Sequence, residues 1–329
     1  MQMHSNTSQS RNDFRPRMIV WQLTGNGALD NLHDKLLNQH ECLRIIDSIA
    51  RLSKPIIVLN GDSLMERPDL HEIIEYGNEL DLKMIAEVHP EEITEELLCK
   101  FKAFGPKTFR LILNNHIVED FETRFQLTPA FQSLERAVEL LRAKEYELHF
   151  SYLVTKLKLR SLAFNLDYAF RKNGHGLYCH LRFDRSVQEV TVIDDEIQSL
   201  DEFITKISDL KFILPNNMYL SPQCVRYLPF PAEEQTNFDI FDLRHPRWIH
   251  HCLAGKTFAF INELGKVFVC SGMCKECGDL REENYDFKSI WMNSDIMQLL
   301  REHSRSCVQT RLLLKKNIGI PVQQLDIIE

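Results

Sequence analysis

The chain has 329 residues, of which 44% are hydrophobic and 26% are charged, and its formal net charge is −8 at pH 7. This composition is typical of a soluble globular protein with one large core, or of a domain of about 200 residues followed by a smaller one. The negative charge argues against a general nucleic-acid or membrane-surface binder, because such partners require clustered Lys and Arg. No apolar run of about 18 residues is present, so no membrane-spanning helix is expected.

The N-terminal segment is polar and lacks the apolar core of a secretory signal. Residues 1–14 are therefore predicted to be a disordered lead-in, and the protein is predicted to be cytoplasmic. Thiols in a reducing compartment stay free or bind metal. Of the nine cysteines, several crowd the last quarter of the chain, namely Cys252, Cys270, Cys274, Cys277 and Cys307.

From about residue 15 to residue 210, short apolar runs alternate with helical patterns, which is typical of βα units on a parallel sheet. The predicted strands are Met18–Thr24, Pro55–Asn60, Lys83–Val88, Thr108–Asn114, Leu148–Thr155 and Gly176–Phe183. Cys42 lies on an apolar stripe at helical spacing within Glu41–Leu52 and is interpreted as a core residue. A group of glutamates is interpreted as the exposed side of a helix: Glu91, Glu92, Glu95 and Glu96. Repeats of this unit make either a doubly wound sheet or a partial barrel.

The periodicity stops over residues 211–250, which are rich in proline and are predicted to be a connector. A basic stretch around Trp248 in this region is interpreted as solvated, with a contact to an anionic substrate as the alternative. Residues 251–329 are predicted to form a smaller C-terminal domain. Its first two strands, Thr257–Asn262 and Lys266–Cys270, are joined as a hairpin at Gly265, and a helix follows near Phe287–Glu302.

Several stretches resemble the core of radical S-adenosylmethionine (SAM) enzymes that carry a C-terminal SPASM or twitch domain. They are MIVWQLT from Met18, PIIVLNGDSLMERPDLHEIIEYG from Pro55 and FQSLERAVELLRAKEYELHFSYLVTK from Phe131. The sequence is most similar to the maturases of the haem d1 and alternative haem pathways, over roughly residues 15–307. The resemblance implies an α/β fold with a partial (β/α)6 barrel over residues 15–210. It also implies a small Cys-rich, SPASM/twitch-like metal-binding domain over residues 251–329.

In radical SAM enzymes, a CxxxCxxC loop after the first strand supplies three thiolates to a [4Fe–4S] cluster and leaves one iron open for SAM. Soft thiolate ligands are what hold such clusters. When the motif is aligned from Trp21, its cysteine positions fall on Gly27, Asn31 and Asp34, none of which is a thiol. Conventional SAM cleavage is therefore not expected. A mononuclear metal held by His33 and Asp34 is an alternative, although a solvated His33 is the preferred interpretation.

The other SAM-binding turns implied by the resemblance are altered as well. The GGE turn after the second strand corresponds to residues 60–62, in which Gly61 is kept and Asp62 carries its carboxylate on a shorter arm. The TNG motif after the third strand corresponds to Val88–His89–Pro90. The SLDG motif after the fourth strand reads ILNN around Asn114. Gly61, Asp62 and Asn114 are therefore predicted to be the remains of a SAM pocket.

The C-terminal cysteines match the opening of the family's auxiliary-cluster domain, which is a cysteine, a spacer of nine to fifteen residues and then GxxxxC. Here Cys252 is followed by a spacer of twelve residues and then by GKVFVC, which ends at Cys270. Cys274 and Cys277 form a CxxC that can face one metal from a loop. One site with four thiolate ligands is thus predicted, and Cys307 is an alternative for one of the four ligands. Its metal is a [4Fe–4S] cluster or a structural zinc, and neighbouring histidines keep a mixed Cys/His zinc site open.

The functional hypothesis from the sequence is a radical-SAM-like pseudoenzyme. It would act as a binding or partner subunit in the maturation of a peptide-derived or haem-like cofactor. The expected partners are an intact radical SAM enzyme, a peptide or a tetrapyrrole. Binding to nucleic acid or to a membrane is not expected. The alternative is an active radical SAM/SPASM-type enzyme that uses an atypical metal site, or uses the auxiliary cluster for electron transfer.

Overall fold

A computed structural model describes residues 14–25, 35–101, 105–113, 129–154, 156–157, 165, 168–169, 171–181, 191–192, 219–223, 253–270 and 275–303. The strands are β1 (Met18–Gln22), β2 (Ile56–Asn60), β3 (Lys83–Val88), β4 (Thr108–Leu113), β5 (Glu147–Val154), β6 (Lys156–Leu157), β7 (Gly176–Leu181), β8 (Thr191–Val192), β9 (Tyr219–Gln223), β10 (Phe258–Ile261), β11 (Lys266–Phe268) and β12 (Glu276–Asp279). The α-helices are α1 (Gln39–Leu52), α2 (Leu70–Glu79), α3 (Glu95–Phe101), α4 (Pro129–Ala143), α5 (Phe287–Asn293) and α6 (Asp295–His303).

Ten of these strands form one sheet, in the order β12-β11-β10-β1-β2-β3-β4-β5-β7-β9, and β6 pairs with β8 separately. From β1 to β9 every neighbouring pair is parallel and follows the order of the chain. A doubly wound sheet would instead reverse its order at a switch point. The α/β class is therefore confirmed, and between the two architectures left open by the sequence the strand order is that of a barrel. In the described part of the chain, the sheet is open between β9 and β12.

The two faces of the sheet differ in what covers them. On the outer face, helices α1 to α4 bury their apolar stripes against alternate strand residues such as Trp21, Leu59, Leu111 and Phe150. The opposite, inner face carries a smaller apolar cluster: Met18, Val20, Val58, Ile85, Phe260 and Phe268. Side chains alternate between faces along each strand, so every second residue of β1 to β5 is directed to the inner face.

The sequence-based boundaries need correction in two places. Within the predicted connector, 211–250, Tyr219–Gln223 is a strand that pairs in parallel with β7. Its YLSPQ sequence contains Pro222, and a proline argues against a strand in sequence patterns. The proline is tolerated here because β9 is at the edge of the sheet that the described residues form. Helix α1 begins at Gln39 rather than at Glu41, because Asn38 is its N-cap and forms a capping box with Glu41, the third residue of the helix.

The predicted C-terminal hairpin is present and continues the barrel sheet. Strand β10 pairs in parallel with β1, and β11 pairs with β10 in antiparallel fashion. Gly265 has a φ of 84°, and the Asn262 side-chain oxygen accepts hydrogen bonds from the backbone N–H groups of Leu264 and Lys266. The turn is thus closed by local chemistry. No helix among the described residues is long and apolar enough to cross a bilayer.

Candidate functional site

The predicted SAM pocket lies at the carboxyl ends of the first strands. There the turn after β2 is pressed against the residue that follows β1, since the Thr24 hydroxyl donates to the Asp62 carbonyl oxygen over 2.7 Å. Gly61 has a φ of 141°, and a β-carbon at this position would lie 2.1 Å from Thr24 Oγ1. Glycine is therefore required here by both conformation and space. Asp62 is exposed. Asn114 lies outside the described residues.

Arg67 holds together the two ends of the loop that lacks the cysteine motif. Its Nη1 donates to the Leu23 carbonyl oxygen over 2.9 Å, and its Nη2 donates to the Leu37 carbonyl oxygen over 2.7 Å. Asp69 balances its charge, with 2.7 Å between Arg67 Nε and Asp69 Oδ1. The flanks of the loop are thus fixed through one buried guanidinium. The loop positions singled out from the sequence lie outside the described residues: Gly27, Asn31, His33 and Asp34.

Cys42 is the first cysteine after β1, and it is a core residue. Its side chain is 0% exposed, and burial raises the pKa of its thiol to about 12, although Arg67 nearby favours the thiolate. Cys42 packs within the main apolar core of the outer face, where it acts as a small apolar side chain. The interpretation of Cys42 from the sequence is confirmed.

Glu92 was interpreted from the sequence as part of the exposed side of a helix, and for this residue the interpretation is wrong. Its carboxylate accepts hydrogen bonds from the backbone N–H of His89 over 2.9 Å and from that of Met65 over 3.1 Å. Burial raises the pKa of Glu92, and these hydrogen bonds oppose that shift. The side chain therefore ties the turn after β3 to the turn after β2. Periodicity misses this role because the contact joins residues 27 positions apart.

A row of polar side chains crosses the inner face at one level of the sheet. The parallel register places Gln22 beside Asn60, Glu87 beside Arg110, and Arg110 beside His149. Hydrogen bonds continue the row from Asn60 Nδ2 to Glu87 Oε1 over 3.4 Å and from Arg110 Nη1 to Glu87 Oε2 over 3.0 Å. We call these five residues the polar row. Glu87, Arg110 and His149 are buried, and Gln22 and Asn60 are half-buried.

At one end of the polar row, His149 is oriented by a carboxylate. Its Nε2 lies 2.9 Å from Glu147 Oε1. Burial lowers the pKa of His149, and the hydrogen bond with Glu147 opposes that shift. The same hydrogen bond, joined by one from the Thr108 hydroxyl at 2.7 Å, lowers the pKa of Glu147. The lowered pKa of His149 favours a neutral imidazole, and because an ionised carboxylate can only accept, Nε2 is the nitrogen that carries the proton.

Sequence reasoning missed the polar row. The available signal was the presence of polar residues at alternate positions of otherwise apolar strands, as in KMIAEV for β3, TFRLIL for β4 and ELHFSYLV for β5. Such strands read as buried from the sequence, and only the register shows that their polar residues share one level.

Cys270 and Cys277 are brought near each other by the β11–β12 pairing. Cys277 lies on β12, opposite a register shift at Val267/Phe268, and Cys270 follows β11 by two residues. Burial raises the pKa of Cys277 to about 12, while hydrogen bonds from the Ser294 side chain and the Val269 backbone oppose this shift and the Cys270 thiol adds to it. Donors directed at a sulfur are one of the means by which proteins tune Fe–S ligands.

The remaining predicted ligands are not part of the described structure. They are Cys252, Cys274 and Cys307. Within the described residues, no group of three or more His, Cys, Asp or Glu side chains is placed to hold a metal ion. The four-thiolate site therefore remains a prediction, of which two members are located.

The C-terminal segment is attached to the barrel through Glu41 on α1. Arg281 Nε donates to Glu41 Oε1 over 2.7 Å, and the Tyr285 hydroxyl donates to the same oxygen over 2.8 Å. Arg281 also donates to the carbonyl oxygens of Lys35 and Leu36, at the end of the loop that follows β1. Its hydrogen bond lowers the pKa of Glu41 to about 2. The segment that carries Cys277 is thus anchored beside the predicted SAM pocket.

Comparison with known proteins agrees with the resemblance found in the sequence. The chain is 25% identical to an AdoMet-dependent heme synthase of Methanosarcina barkeri over 305 residues, which is 87% of this chain and 85% of that protein. No protein-family model matches the chain. The predicted relationship to radical SAM proteins of haem synthesis is confirmed by this relative.

Solved structures establish the fold. Streptococcus suis SuiB superposes with a TM-score of 0.58 at 12% identity, over 88% of this chain and 68% of SuiB, and it has also been solved bound to the precursor peptide SuiA. The protein anSMEcpe with bound AdoMet superposes with a TM-score of 0.54 at 13% identity, over 84% of this chain and 78% of anSMEcpe. At these identities the agreement concerns the fold alone.

Proposed function

We propose that this chain is a radical-SAM-like pseudoenzyme that keeps one cysteine metal site in its C-terminal segment. The absence of cysteines near the first strand supports the assignment as a pseudoenzyme. From β1 to the first turn of α1 the sequence offers no thiol, and the first one, Cys42, is fully buried in the apolar core. The residues present therefore do not fit the family's SAM-cleaving [4Fe–4S] cluster, which needs three thiolates at this loop.

The proposed role is to bind rather than to cleave. The relatives named AdoMet-dependent heme synthase and the peptide-bound SuiB favour a tetrapyrrole or a precursor peptide as the bound molecule. An intact radical SAM enzyme is the proposed protein partner. In such a pair, this chain would present or hold the intermediate while the partner supplies the radical chemistry.

The proposed metal site consists of Cys270 and Cys277 with Cys252 and Cys274, and Cys307 is the alternative fourth ligand. The two located thiols fit a metal site because Cys270 is buried, Cys277 is half-buried near it, and the Cys277 thiol is hydrogen-bonded by Val269 and Ser294. A [4Fe–4S] cluster bound there would supply electron transfer, and a zinc ion would be structural.

Anaerobic purification followed by assays of iron, acid-labile sulfide and zinc tests this proposal. About four irons, lost in Cys270→Ala and in Cys277→Ala, are expected for a cluster, and about one zinc for a structural site. Cys99→Ala is the matched control, because Cys99 is exposed on α3 and belongs to neither site. Metal that is absent from the unmodified protein, or that survives both substitutions, would contradict the metal site.

The second candidate is an active enzyme of the radical SAM type. The similarity to an AdoMet-dependent heme synthase over 87% of the chain favours it. The two functions differ in one product, since SAM cleavage releases 5′-deoxyadenosine. Incubation with SAM and a strong reductant is expected to give none. Its formation by the Cys270→Ala/Cys277→Ala double variant would establish a cluster elsewhere in the chain and would refute the pseudoenzyme.

A further inference from the structure

The polar row contains a guanidinium with unused donors. Arg110 is 0% exposed, and its Nη1 donates to Glu87 Oε2 over 3.0 Å. Its Nε and Nη2 have no hydrogen-bond partner within the structure as described. Buried polar atoms are nearly always paired, so two nitrogen donors without a partner on one buried side chain call for an explanation.

The two unused donors lie on the same edge of the guanidinium. In arginine, Nε–H and one Nη2–H point in parallel, at the spacing of the two oxygens of a carboxylate. The plane itself is held in place, because Arg110 Cζ lies 3.7 Å from the centroid of the Tyr178 ring and Nη1 is bonded to Glu87. The donor pair is thus oriented in advance.

Other unused polar atoms occupy the same level of the inner face. Asn60 Oδ1 and His149 Nδ1 also lack hydrogen-bond partners among the described residues. Both belong to the polar row, on the strands to either side of the Glu87–Arg110 pair. Both atoms are acceptors, since His149 donates from Nε2, so they can pair with donor groups or water beside a ligand, whereas Arg110 offers donors to an anion.

We propose that the free edge of Arg110 binds one carboxylate group of a small molecule held on the inner face of the sheet. The charge of Arg110 is already balanced by Glu87, so recognition rests on two parallel hydrogen bonds rather than on net charge. Two parallel donors match the two oxygens of a planar carboxylate. A guanidinium already neutralised by Glu87 has no further charge to balance a phosphate dianion, so a singly charged carboxylate is favoured. The inference goes beyond the proposed function and does not depend on the C-terminal metal site.

The experiment is an NMR titration of the full-length protein labelled with [15N]arginine. The Nε–H signal of Arg110 is assigned from its loss in Arg110→Lys and, should that variant not fold, from its shift in Glu87→Gln. Sodium formate is the probe, with sodium chloride and sodium phosphate at equal ionic strength as the comparison salts. Arg67 is the internal control, because its Nε and both Nη groups already have acceptors.

A saturable shift of the Arg110 signal with formate, without a shift of the Arg67 signal, is the expected result. The absence of such a shift would overturn the proposal and would mean that an ordered water pairs with the free edge of Arg110. An equal response to phosphate would also overturn it. SAM against its methyl ester, and protoporphyrin IX against its dimethyl ester, identify the source of the carboxylate. The ligand class is the one whose free acid binds at least about tenfold more tightly than its ester.

Discussion

Gly61 and Thr24 are in such close contact that a β-carbon on residue 61 would lie 2.1 Å from the Thr24 hydroxyl oxygen. This contact joins the turn after β2 to the end of β1, where the predicted SAM pocket lies. The glycine that the family pattern implies at this turn therefore has a structural reason in this chain, which holds whether or not SAM binds.

Gly61→Ala is expected to destabilise the protein by about 2 kcal/mol or more, because alanine is strained at the φ of 141° and clashes with Thr24. Urea unfolding measures the effect. Gly25→Ala is the matched control, since the nearest atom to its added β-carbon is 3.8 Å away, and it should change stability by less than about 0.5 kcal/mol. Equal effects of the two substitutions would refute the contact.

Glu41→Gln is expected to lower stability at neutral pH by about 1–2 kcal/mol, a figure reduced for the partly exposed Arg281. The pKa of Glu41 falls from 4.5 to about 2 on folding, so its contribution is complete above pH 4.5 and is lost as the pH falls toward 2. Unfolding curves from pH 2 to pH 7 should therefore converge at the acidic end. Asp47→Asn, which removes an exposed pair with Arg51, should cost less than about 0.5 kcal/mol at every pH.

Iodoacetamide at pH 8 is expected to label Cys99 at least about a hundredfold faster than Cys42 in the folded protein. Cys99 is exposed, whereas burial hides the Cys42 thiol and raises its pKa to about 12. Mass spectrometry of timed samples gives both rates, and in urea the two rates should become similar. Rapid labelling of Cys42 in the native protein would mean that α1 opens and that this cysteine is available to a metal.

Ser294→Ala is expected to weaken metal binding in the C-terminal segment by about 10–100-fold, because its side chain hydrogen-bonds to the Cys277 thiol. Competition with a chelator measures the affinity. Ser289→Ala is the control, since the Ser289 hydroxyl donates to Glu283 at the surface over 2.8 Å. An unchanged affinity in Ser294→Ala would remove Cys277 from the set of ligands.

Much of the fold could be predicted from the sequence because its signals are local. The alternation of apolar runs and helical stripes gives β1 to β5 and α1 to α4, and Gly265 closes the hairpin within a few residues. The strand Tyr219–Gln223 was missed because it contains Pro222. A proline is permitted there by the position of the strand at the edge of the described sheet, and that position cannot be read from the sequence.

The candidate sites also combine features that are visible in the sequence with features that depend on the tertiary structure. By itself, the sequence determined that no thiol stands in the loop after β1 and that cysteines cluster near the C-terminus, since composition and spacing need no coordinates. Only the tertiary structure decided that Glu41 pairs with Arg281 across 240 positions and that Glu87 meets Arg110 on the inner face. Such contacts depend on strand register and on packing between distant segments. Neither leaves a periodic pattern along the chain.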